Sequence, residues 1–435
     1  MTHDPIAAYH ALLDDGALVE ESAARLREGQ RERRLVFGER PLSIALRPQL
    51  VTRARYAAAA AASERVCGAL RSLERALLRD PALRRELDLD PEEERLALAD
   101  PGCRASSPSS RLDGFFSDRL RYVEYNAESP AGMAYSDQLV AVFDSLPLMR
   151  AFRRRFRLRA LPLRARQLAI MLRAFREWGR ATTPEIAIVD WHGLPTETEW
   201  QMFRDYFESR GIRTLICDPR ELDFRRGRLY ANGKAVNLVY RRVLTSELLA
   251  KGAETRALCD AYLAGAVCVV NTFRAKLLHK KMSLALLSDD RYAPLYTPAQ
   301  RRAIARHVPW TRKVRPELAD DIASRRERLV LKPNDEYGGK GVVLGWTVSQ
   351  AEWERALGDA LAASFVVQEA VPVPRSPFPV MLDEVRIMEL ATDMDPYLFY
   401  GRVSGVLSRL SSSALLNVTA GAGSVVPTYL LEGPA

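Results

Sequence analysis

The sequence predicts a mixed α/β (α+β mixed) protein, in which a helical region precedes two kinds of sheet. Three observations support this fold class. Apolar residues recur every three or four positions in residues 1–80, residues 184–245 alternate strand, helix and strand, and the chain from 328 onward is rich in short apolar strands. At 435 residues, 47% hydrophobic and 27% charged, the composition is that of a globular chain that can bury a large core.

The first elements are predicted from the spacing of apolar residues and from the positions of glycine, proline and serine. Residues 1–80 read as helices, and residues 80–110, with a Pro-Gly pair and a Ser-rich run, read as a connector. Residues 111–116 and 120–126 read as two strands joined by a turn. Helices are expected at about 134–157 and 163–179.

The middle of the chain predicts a parallel sheet. We expect strands at 186–189, 214–217 and 236–241, and a hairpin around Asn232-Gly233. A helix over 196–209 would start at a capping box formed by Thr196 and Glu199. The apolar run 257–273 predicts a buried helix within a helical stretch, 252–290. Further strands are expected at 329–332, 341–346, 365–369, 385–390, 397–406 and 424–430, with a helix at 349–362.

Charge and cysteine usage exclude several classes. The chain has 64 basic and 55 acidic residues, a net charge of +9, but the basic residues are scattered and form no nucleic-acid motif. Five widely spaced cysteines favour neither a disulfide framework nor a zinc site. No segment has the length of a membrane span, and the N-terminus lacks a signal peptide pattern. We therefore expect a cytoplasmic protein that binds neither nucleic acid nor membrane.

The segment 329–345 carries the most chemistry. An apolar strand ends in Lys332, and a turn with Gly338, Gly339, Lys340 and Gly341 follows it. Glycines let backbone N–H groups approach an anion, so two ammonium groups beside this turn suit a nucleotide polyphosphate. An ordinary β-hairpin is the alternative for this segment taken alone.

A second strand, 365–369, ends in a polar pair and then prolines. The backbone of the four residues at this point can serve as a hinge that pairs with an adenine edge; they are Gln368, Glu369, Ala370 and Val371. A plain core strand that reaches solvent at Glu369 is the alternative.

Oxygen ligands for Mg²⁺ are expected on the strands at 111–126. Glu124 and Asn126 are two residues apart and therefore share a face, and Asp113 on the neighbouring strand can add a third oxygen. Arg111, on the same face as Asp113, can hold a phosphate that is being transferred.

The order of these segments resembles the circularly permuted ATP-grasp family, which includes the synthetase domain of glutathionylspermidine synthase. In most ATP-grasp enzymes the Glu-x-Asn follows the hinge, whereas here it precedes the lysine and glycine segments. Residues 123–130 resemble that family's signature, with Glu128 in place of Asp. The resemblance covers roughly 110–435. It divides the chain into a helical region and connector (1–110), a permuted part of the core (111–180), a pre-ATP-grasp-like α/β substrate unit (181–250) and nucleotide-binding lobes (251–435).

The resemblance implies further residues. Lys281 matches the family's first ATP-contacting lysine best, with Lys276 and Lys280 as the next choices. Arg402, Arg409 and Asn417 in the tail are placed to face phosphate or a substrate carboxylate. His192 or Arg241, at strand ends, are candidates for substrate contact.

The function implied is an ATP-dependent carboxylate–amine ligase that acts through an acyl phosphate, with ATP and Mg²⁺ as cofactors and small-molecule acid and amine substrates. The alternatives are a non-catalytic ATP-binding protein with the same fold and, from the charge alone, a nucleic-acid-binding protein. No acidic cluster that would select a cationic amine is evident, and neither the substrates nor the oligomeric state can be read from the sequence. The expected site residues are Arg111 and Arg402 for catalysis, Asp113, Glu124 and Asn126 for the metal, and Lys281, Lys332, Gly338, Gly339, Lys340, Gly341, Gln368, Glu369, Ala370, Val371 and Asn417 for ATP.

Overall fold

The N-terminal part of the protein is mainly helical, as its apolar spacing predicts. The computed structural model describes residues 4–37, 40–413 and 423–434. The connector expected at 80–110 contains two helices, because Asp80 and Asp90 each cap a helix whose first residue is proline. The elements in order are α1 (Pro5–His10), α2 (Gly16–Glu32), β1 (Val36–Phe37), β2 (Arg40–Pro41), β3 (Gln49–Thr52), α3 (Arg53–Arg79), α4 (Pro81–Arg85) and α5 (Pro91–Leu98).

Two long strands and three helices come next. The elements are β4 (Ser109–Phe116), β5 (Leu120–Asn126), α6 (Met133–Ser145), α7 (Pro147–Arg153), β6 (Phe156–Arg159) and α8 (Leu163–Glu177). The single helix expected over 134–157 is wrong, because Pro147 cannot continue α6 and instead begins α7.

The predicted parallel sheet is confirmed. Its four strands run in the order β13-β12-β7-β8, all parallel. A small antiparallel sheet contains the hairpin predicted at Asn232-Gly233. The elements are β7 (Ile186–Val189), α9 (Glu197–Glu208), β8 (Thr214–Cys217), β9 (Leu222–Arg225), β10 (Arg228–Ala231), β11 (Lys234–Val236), β12 (Leu238–Arg241), α10 (Thr245–Ala250), α11 (Arg256–Leu263) and β13 (Cys268–Val270).

Two expectations for this unit are wrong. The buried helix over 257–273 is α11 followed by β13, because the chain turns at Gly265, with φ of 63°, and the short apolar run joins the sheet edge. The capping box is absent, since Thr196 makes no capping bond and Glu199 is fully buried against Arg242.

A second lobe is built around a small antiparallel sheet in the order β14-β17-β15-β16. Trp353 of the helix predicted at 349–362 is buried against this sheet. The elements are α12 (Lys276–His279), α13 (Met282–Ser288), α14 (Pro298–His307), β14 (Thr311–Lys313), α15 (Ala319–Ser324), β15 (Leu329–Pro333), β16 (Val343–Leu344), α16 (Gln350–Leu361) and β17 (Phe365–Glu369).

The last part of the chain is β-structure. The strand expected over 397–406 is wrong: Tyr400 and Gly401 have positive φ and form a tight turn between two strands. The elements are β18 (Arg375–Met381), β19 (Val385–Thr392), β20 (Asp395–Phe399), β21 (Arg402–Ser411), β22 (Gly423–Val426) and β23 (Thr428–Pro434). Short 3₁₀ helices lie at Ala11–Asp14, Pro219–Glu221, Gly252–Thr255, Phe273–Ala275, Asp290–Leu295, Pro316–Leu318, Arg326–Arg328 and Gly345–Thr347.

The largest sheet joins segments that are far apart in the chain. Its strand order is β18-β19-β21-β20-β4-β5, with β22 paired to β21, and Arg111 of β4 lies opposite Tyr397 of β20. Apolar residues of α3 pack on one face, among them Val66 and Leu70 beside Leu112 and Leu398. The opposite face of β4 therefore carries Arg111 and Asp113. In the described part of the chain, no helix combines the length and apolar character needed to cross a membrane.

Candidate active site

Arg111 and Asp113 form the centre of the site on β4. The guanidinium binds the carboxylate through two hydrogen bonds, from Nε to Oδ1 at 2.6 Å and from Nη2 to Oδ2 at 2.9 Å. Asn126 lies opposite Arg111 on β5, and its Nδ2 donates to Asp113 Oδ1 at 2.9 Å. The alternation of the two paired strands thus brings three expected site residues together on one face.

Arg409 of β21 completes this cluster. Its guanidinium lies 2.9 Å from Asp113, 2.6 Å from Asp393 and 2.8 Å from Asp395. Burial opposes the charge of Asp113, but the guanidinium groups of Arg111 and Arg409 outweigh it and hold its pKa at about 2. Burial instead raises the pKa of Asp395 well above its ordinary value. At neutral pH Asp113 is therefore ionised, and its carboxylate holds the guanidinium groups of Arg111 and Arg409 in place.

The carboxylate of Glu124 lies beside two lysines. Lys281 Nζ is 3.1 Å from Glu124 Oε1 and also donates to the carbonyl of Glu336. Burial opposes the charge of Glu124 and Asp113 adds to that opposition, but Lys281 and Lys332 together outweigh both and lower its pKa. Lys276 and Lys280 turn away and pair with Glu93. Of the three candidate lysines, Lys281 is the one that the structure brings to this site.

Lys332 enters from β15. Its Nζ donates to Gln368 Oε1 at 2.6 Å and to the carbonyl of Val123 at 3.1 Å, next to Glu124. Burial lowers the pKa of Lys332 to about 8. Gln368 is buried, and its amide donates to Thr311 Oγ1 at 3.0 Å. Its side chain therefore positions Lys332 from within the sheet.

The hinge segment has some of its backbone donors in use. The amide of Glu369 donates to the carbonyl of Trp310, and that of Ala370 to the carbonyl of Arg328, both at 2.8 Å. Val371 lies two residues beyond the end of β17 and is half-buried. Adenine pairing at this hinge remains a prediction. The N–H groups of Glu369 and Ala370 are already hydrogen-bonded, so they are not available to donate to an adenine ring.

The glycine-rich turn connects β15 to β16 and is exposed. Gly338, Gly339 and Gly341 have φ of 65°, 76° and 70°, a backbone shape that favours glycine. Lys340 lies on the surface with its Nζ 3.2 Å from Glu336. Tyr337, at the start of the turn, donates from its hydroxyl to Glu247 Oε1 of α10 at 3.1 Å. The turn thus contacts the α/β unit.

Several expected residues do not join the site. Arg402 pairs with Glu64 of α3 and is 81% exposed, on the opposite face of the sheet from Arg409. Arg241 is fully buried against Glu128, and the exposed His192 lies 3.2 Å from Glu221. Asn417 lies outside the described residues.

Sequence reasoning missed two acidic residues of the cluster. Asp393 and Asp395 bind Arg409, and the amide of Gly114 donates to Asp395 at 3.0 Å. An available signal was the Asp-x-Asp pair itself: Asp393 lies in the short link between β19 and β20, and Asp395 is the first residue of β20.

Comparison with known proteins places the chain in a family. Residues 116–411 match the family model described as circularly permuted ATP-grasp type 2. No curated protein matches. Among solved structures, a glutathione synthetase-like effector from Globodera pallida in its apo form has a TM-score of 0.60 at 13% identity, over 95% of this chain and 97% of the other. A D-cycloserine synthetase has a TM-score of 0.32 at 19% identity, over 57% of this chain and 74% of the other.

The family match and the strand order agree. The matched segment spans well over half of the chain, and the full-length structural likeness supports the fold. In the structure, β4 and β5 from the first third of the chain complete a sheet with β20 and β21 from its last part, as a permuted fold requires. The chain belongs to the circularly permuted ATP-grasp type 2 family.

Proposed function

We propose that this protein is an ATP-dependent ligase that joins a carboxylate to an amine. The observation that supports it best is the meeting of Lys281 and Lys332 at Glu124, beside the Arg111–Asp113–Arg409 cluster. Ammonium groups from separate segments converge where the glycine-rich turn can cover them. Two lysines, two arginines and oxygen donors are the groups that bind and transfer a phosphoryl group.

The reaction has two balanced steps. An oxygen of the acid attacks the γ-phosphorus of ATP, the bond from that phosphorus to the bridging oxygen breaks, and ADP leaves. The amine nitrogen then attacks the carbonyl carbon of the acyl phosphate. The carbon–oxygen bond to phosphate breaks, and the proton lost from nitrogen leaves with inorganic phosphate.

The protein's contribution is positioning and charge neutralisation. Lys281 and Lys332 would bind the α- and β-phosphates, and Lys281 would exchange its contact with Glu124 for a phosphate oxygen. Arg111 and Arg409 would face the transferred phosphate, since Asp113 holds both in fixed orientation. The turn at 338–341 would exclude the water that hydrolyses an acyl phosphate. Such preorganised contacts stabilise charge without reorganisation during the reaction.

The oxygen donors suit a hard cation. Glu124 and Asn126 present a carboxylate and an amide oxygen on one face, and Asp113 lies opposite Glu124 in the pairing of β4 with β5. Among the described residues, no group of three or more His, Cys, Asp or Glu is placed to hold a metal. The proposed ligand set therefore needs the amide oxygen of Asn126 as its third member. We propose that these three residues hold Mg²⁺, with Asp113 sharing its oxygens with the arginines. A bound Mg²⁺ would neutralise phosphate charge.

The test is ADP release, screened over amino acids, short peptides and polyamines with mass detection of the product. We expect Lys332→Ala and Glu124→Gln to lower turnover by ~10²–10³-fold, the effect of removing one electrostatic contact. Lys234→Ala, on the exposed strand β11, is the matched control and should keep full activity. Near-normal turnover in either site variant contradicts the assignment. ATP binding without ADP release over the whole panel favours the non-catalytic alternative.

A further inference from the structure

Glu199 of α9 has no part in the proposed reaction, yet its side chain is completely buried. The sequence pattern predicts a capping box with Thr196, but the structure gives the carboxylate other partners. Its Oε1 accepts from the amide of Gly132 at 2.8 Å and from that of Ala134 at 3.1 Å. Both amides lie at the start of α6, the helix that follows β5 and its proposed Mg²⁺ ligands. Glu199 therefore reaches the phosphate-binding region from the α/β unit.

This contact supplies a cap that α6 lacks in its own sequence. Gly132, the residue before its first turn, has φ of 97° and no side chain that could accept a hydrogen bond. The first N–H groups of a helix have no partner within the helix and carry a partial positive charge, so a carboxylate from another element stabilises them. The hydroxyls of Tyr135 and Thr198 lie 2.6 Å apart and form a second contact between the same two helices. The start of α6 is therefore held in place by α9.

Ala131, directly before this helix start, connects it to the phosphate-binding cluster. Its carbonyl accepts from Arg111 Nη1 at 2.8 Å and from the hydroxyl of Tyr397 at 2.6 Å. The other two nitrogens of the Arg111 guanidinium both donate to Asp113. The carbonyl of Ala131 therefore orients the remaining arm of the guanidinium, and a shift of the helix start would move both groups together.

Arg242 holds the carboxylate of Glu199 from the other side. Its Nη2 lies 2.9 Å from Glu199 Oε2, and the two side chains are 3% and 0% exposed. Its Nη1 donates to the hydroxyl of Tyr240 at 3.2 Å, and Arg242 directly follows β12 of the parallel sheet. This buried ion pair fixes where the carboxylate lies, since removing one partner would leave an uncompensated buried charge. The α/β unit is thus connected to Arg111 through Glu199 and the backbone at the start of α6.

We infer that Glu199 is a positioning residue for Arg111: through the backbone of Ala131 and Gly132, it sets where the guanidinium meets the transferred phosphate. This inference rests on the proposed ligase function, in which Arg111 faces that phosphate. Glu199 then acts on the nucleotide only through Arg111. Removing its carboxylate should weaken the binding of a γ-phosphate and leave the binding of the α- and β-phosphates, which the lysines contact, unchanged.

The test compares the affinities of ADP and of the non-hydrolysable ATP analogue AMP-PNP, measured by calorimetry on the full chain with Mg²⁺. We expect Glu199→Met to weaken AMP-PNP binding by about tenfold, the effect of one charged hydrogen bond, with the affinity for ADP unchanged. Glu199→Gln keeps an oxygen for the helix amides and should recover part of that loss. In the Arg111→Ala background, Glu199→Met should have no further effect, because a residue that acts through another adds nothing once that residue is gone. Glu208→Gln, an exposed carboxylate on the same helix, is the matched control.

The outcomes separate this inference from the proposed function. If Glu199→Met does not fold, Glu199→Met/Arg242→Met removes both charges of the buried pair and should show the same selective loss. An equal loss for ADP and AMP-PNP, no loss for either, or a loss that persists without Arg111 overturns the inference while the ligase function stands. A selective loss that depends on Arg111, in a protein that never releases ADP, supports the inference and contradicts the ligase function.

Discussion

Several ionisable residues of this site are buried, and burial disfavours their charged forms. Lys332 combines a hydrogen bond to Gln368 with a position beside Glu124, yet its pKa is lowered to about 8. An ammonium group with this pKa is only partly charged in mildly alkaline solution. Its affinity for phosphate must then depend on pH, because only the protonated form attracts the anion.

We predict that ATP binds more weakly as pH rises through about 8. Below that pH Lys332 is protonated before ATP arrives; above it, binding must also take up a proton, so the affinity should fall by up to ~10-fold per pH unit. ATP titrations by calorimetry between pH 6.5 and 9.5 measure this dependence. Lys332→Arg, which stays charged, should flatten the profile. Equal affinity of the wild type at both limits contradicts the prediction.

Lys276, Lys280 and Lys281 show how far the sequence alone can identify the lysine that reaches the site. The resemblance identifies Lys281 as the best match, but a basic helix would have presented Lys276, Lys280 and Lys281 together. In the structure α12 ends at His279, and Lys280 has an extended backbone. The break sends Lys276 and Lys280 toward Glu93 and turns Lys281 to Glu124. Such a break depends on tertiary packing.

At the scale of elements, long or strongly patterned segments were predictable and short apolar ones were not. The strands at 186–189 and 365–369 and the helix at 349–362 match the structure closely. The strand Cys268–Val270 was missed, because three apolar residues after a helix fit a strand or a buried helix equally well. These residues form a strand because they pair with the neighbouring strand β12. That pairing is a tertiary contact and cannot be read from the local sequence.

The glycine-rich turn gives a prediction for an element. Gly341 has φ of 70°, and a Cβ there would lie 2.7 Å from Pro333 Cγ. We expect Gly341→Ala to distort the turn and lower ADP release by ~10-fold or more, because misplaced groups around a transferred phosphate lose rate steeply. The melting temperature should change little, since the turn is exposed.

Gly211→Ala is the control for that variant. Gly211 also has positive φ, 76°, but nothing lies within 4 Å of a Cβ there, and it lies in an exposed turn between α9 and β8. It should carry a similar backbone cost without a loss of activity. If both variants keep full turnover, the turn does not cover the reacting groups.

At the scale of the whole molecule, one buried charge network joins the lobes. Glu128, just after β5, is fully buried 2.9 Å from Arg241 of β12 and 3.5 Å from Lys276, and it accepts from the hydroxyl of Thr245. Lys276 in turn lies 2.6 Å from Asp335, near the glycine-rich turn. The order of motifs predicted the permuted fold. It could not predict this network or the Arg409 cluster, because their members come from segments that meet only in three dimensions.

We predict that Glu128→Gln destabilises the protein by about 3–5 kcal/mol, since Arg241 and Lys276 would keep buried charges without their partner. Burial opposes ionisation of Glu128, but Lys276 and Arg241 outweigh it and hold its pKa well below 4.5. Its contribution is therefore complete above about pH 5 and is lost as pH falls toward the lowered pKa. The free energies of unfolding of the wild type and Glu128→Gln are measured in urea at pH 7 and at pH 3 to 4. The difference between them should be smaller at the lower pH. The control Glu208→Gln, at an exposed position, should have the same free energy of unfolding as the wild type at both pH values. If Glu128→Gln is as stable as the wild type at pH 7, the network does not hold the lobes together.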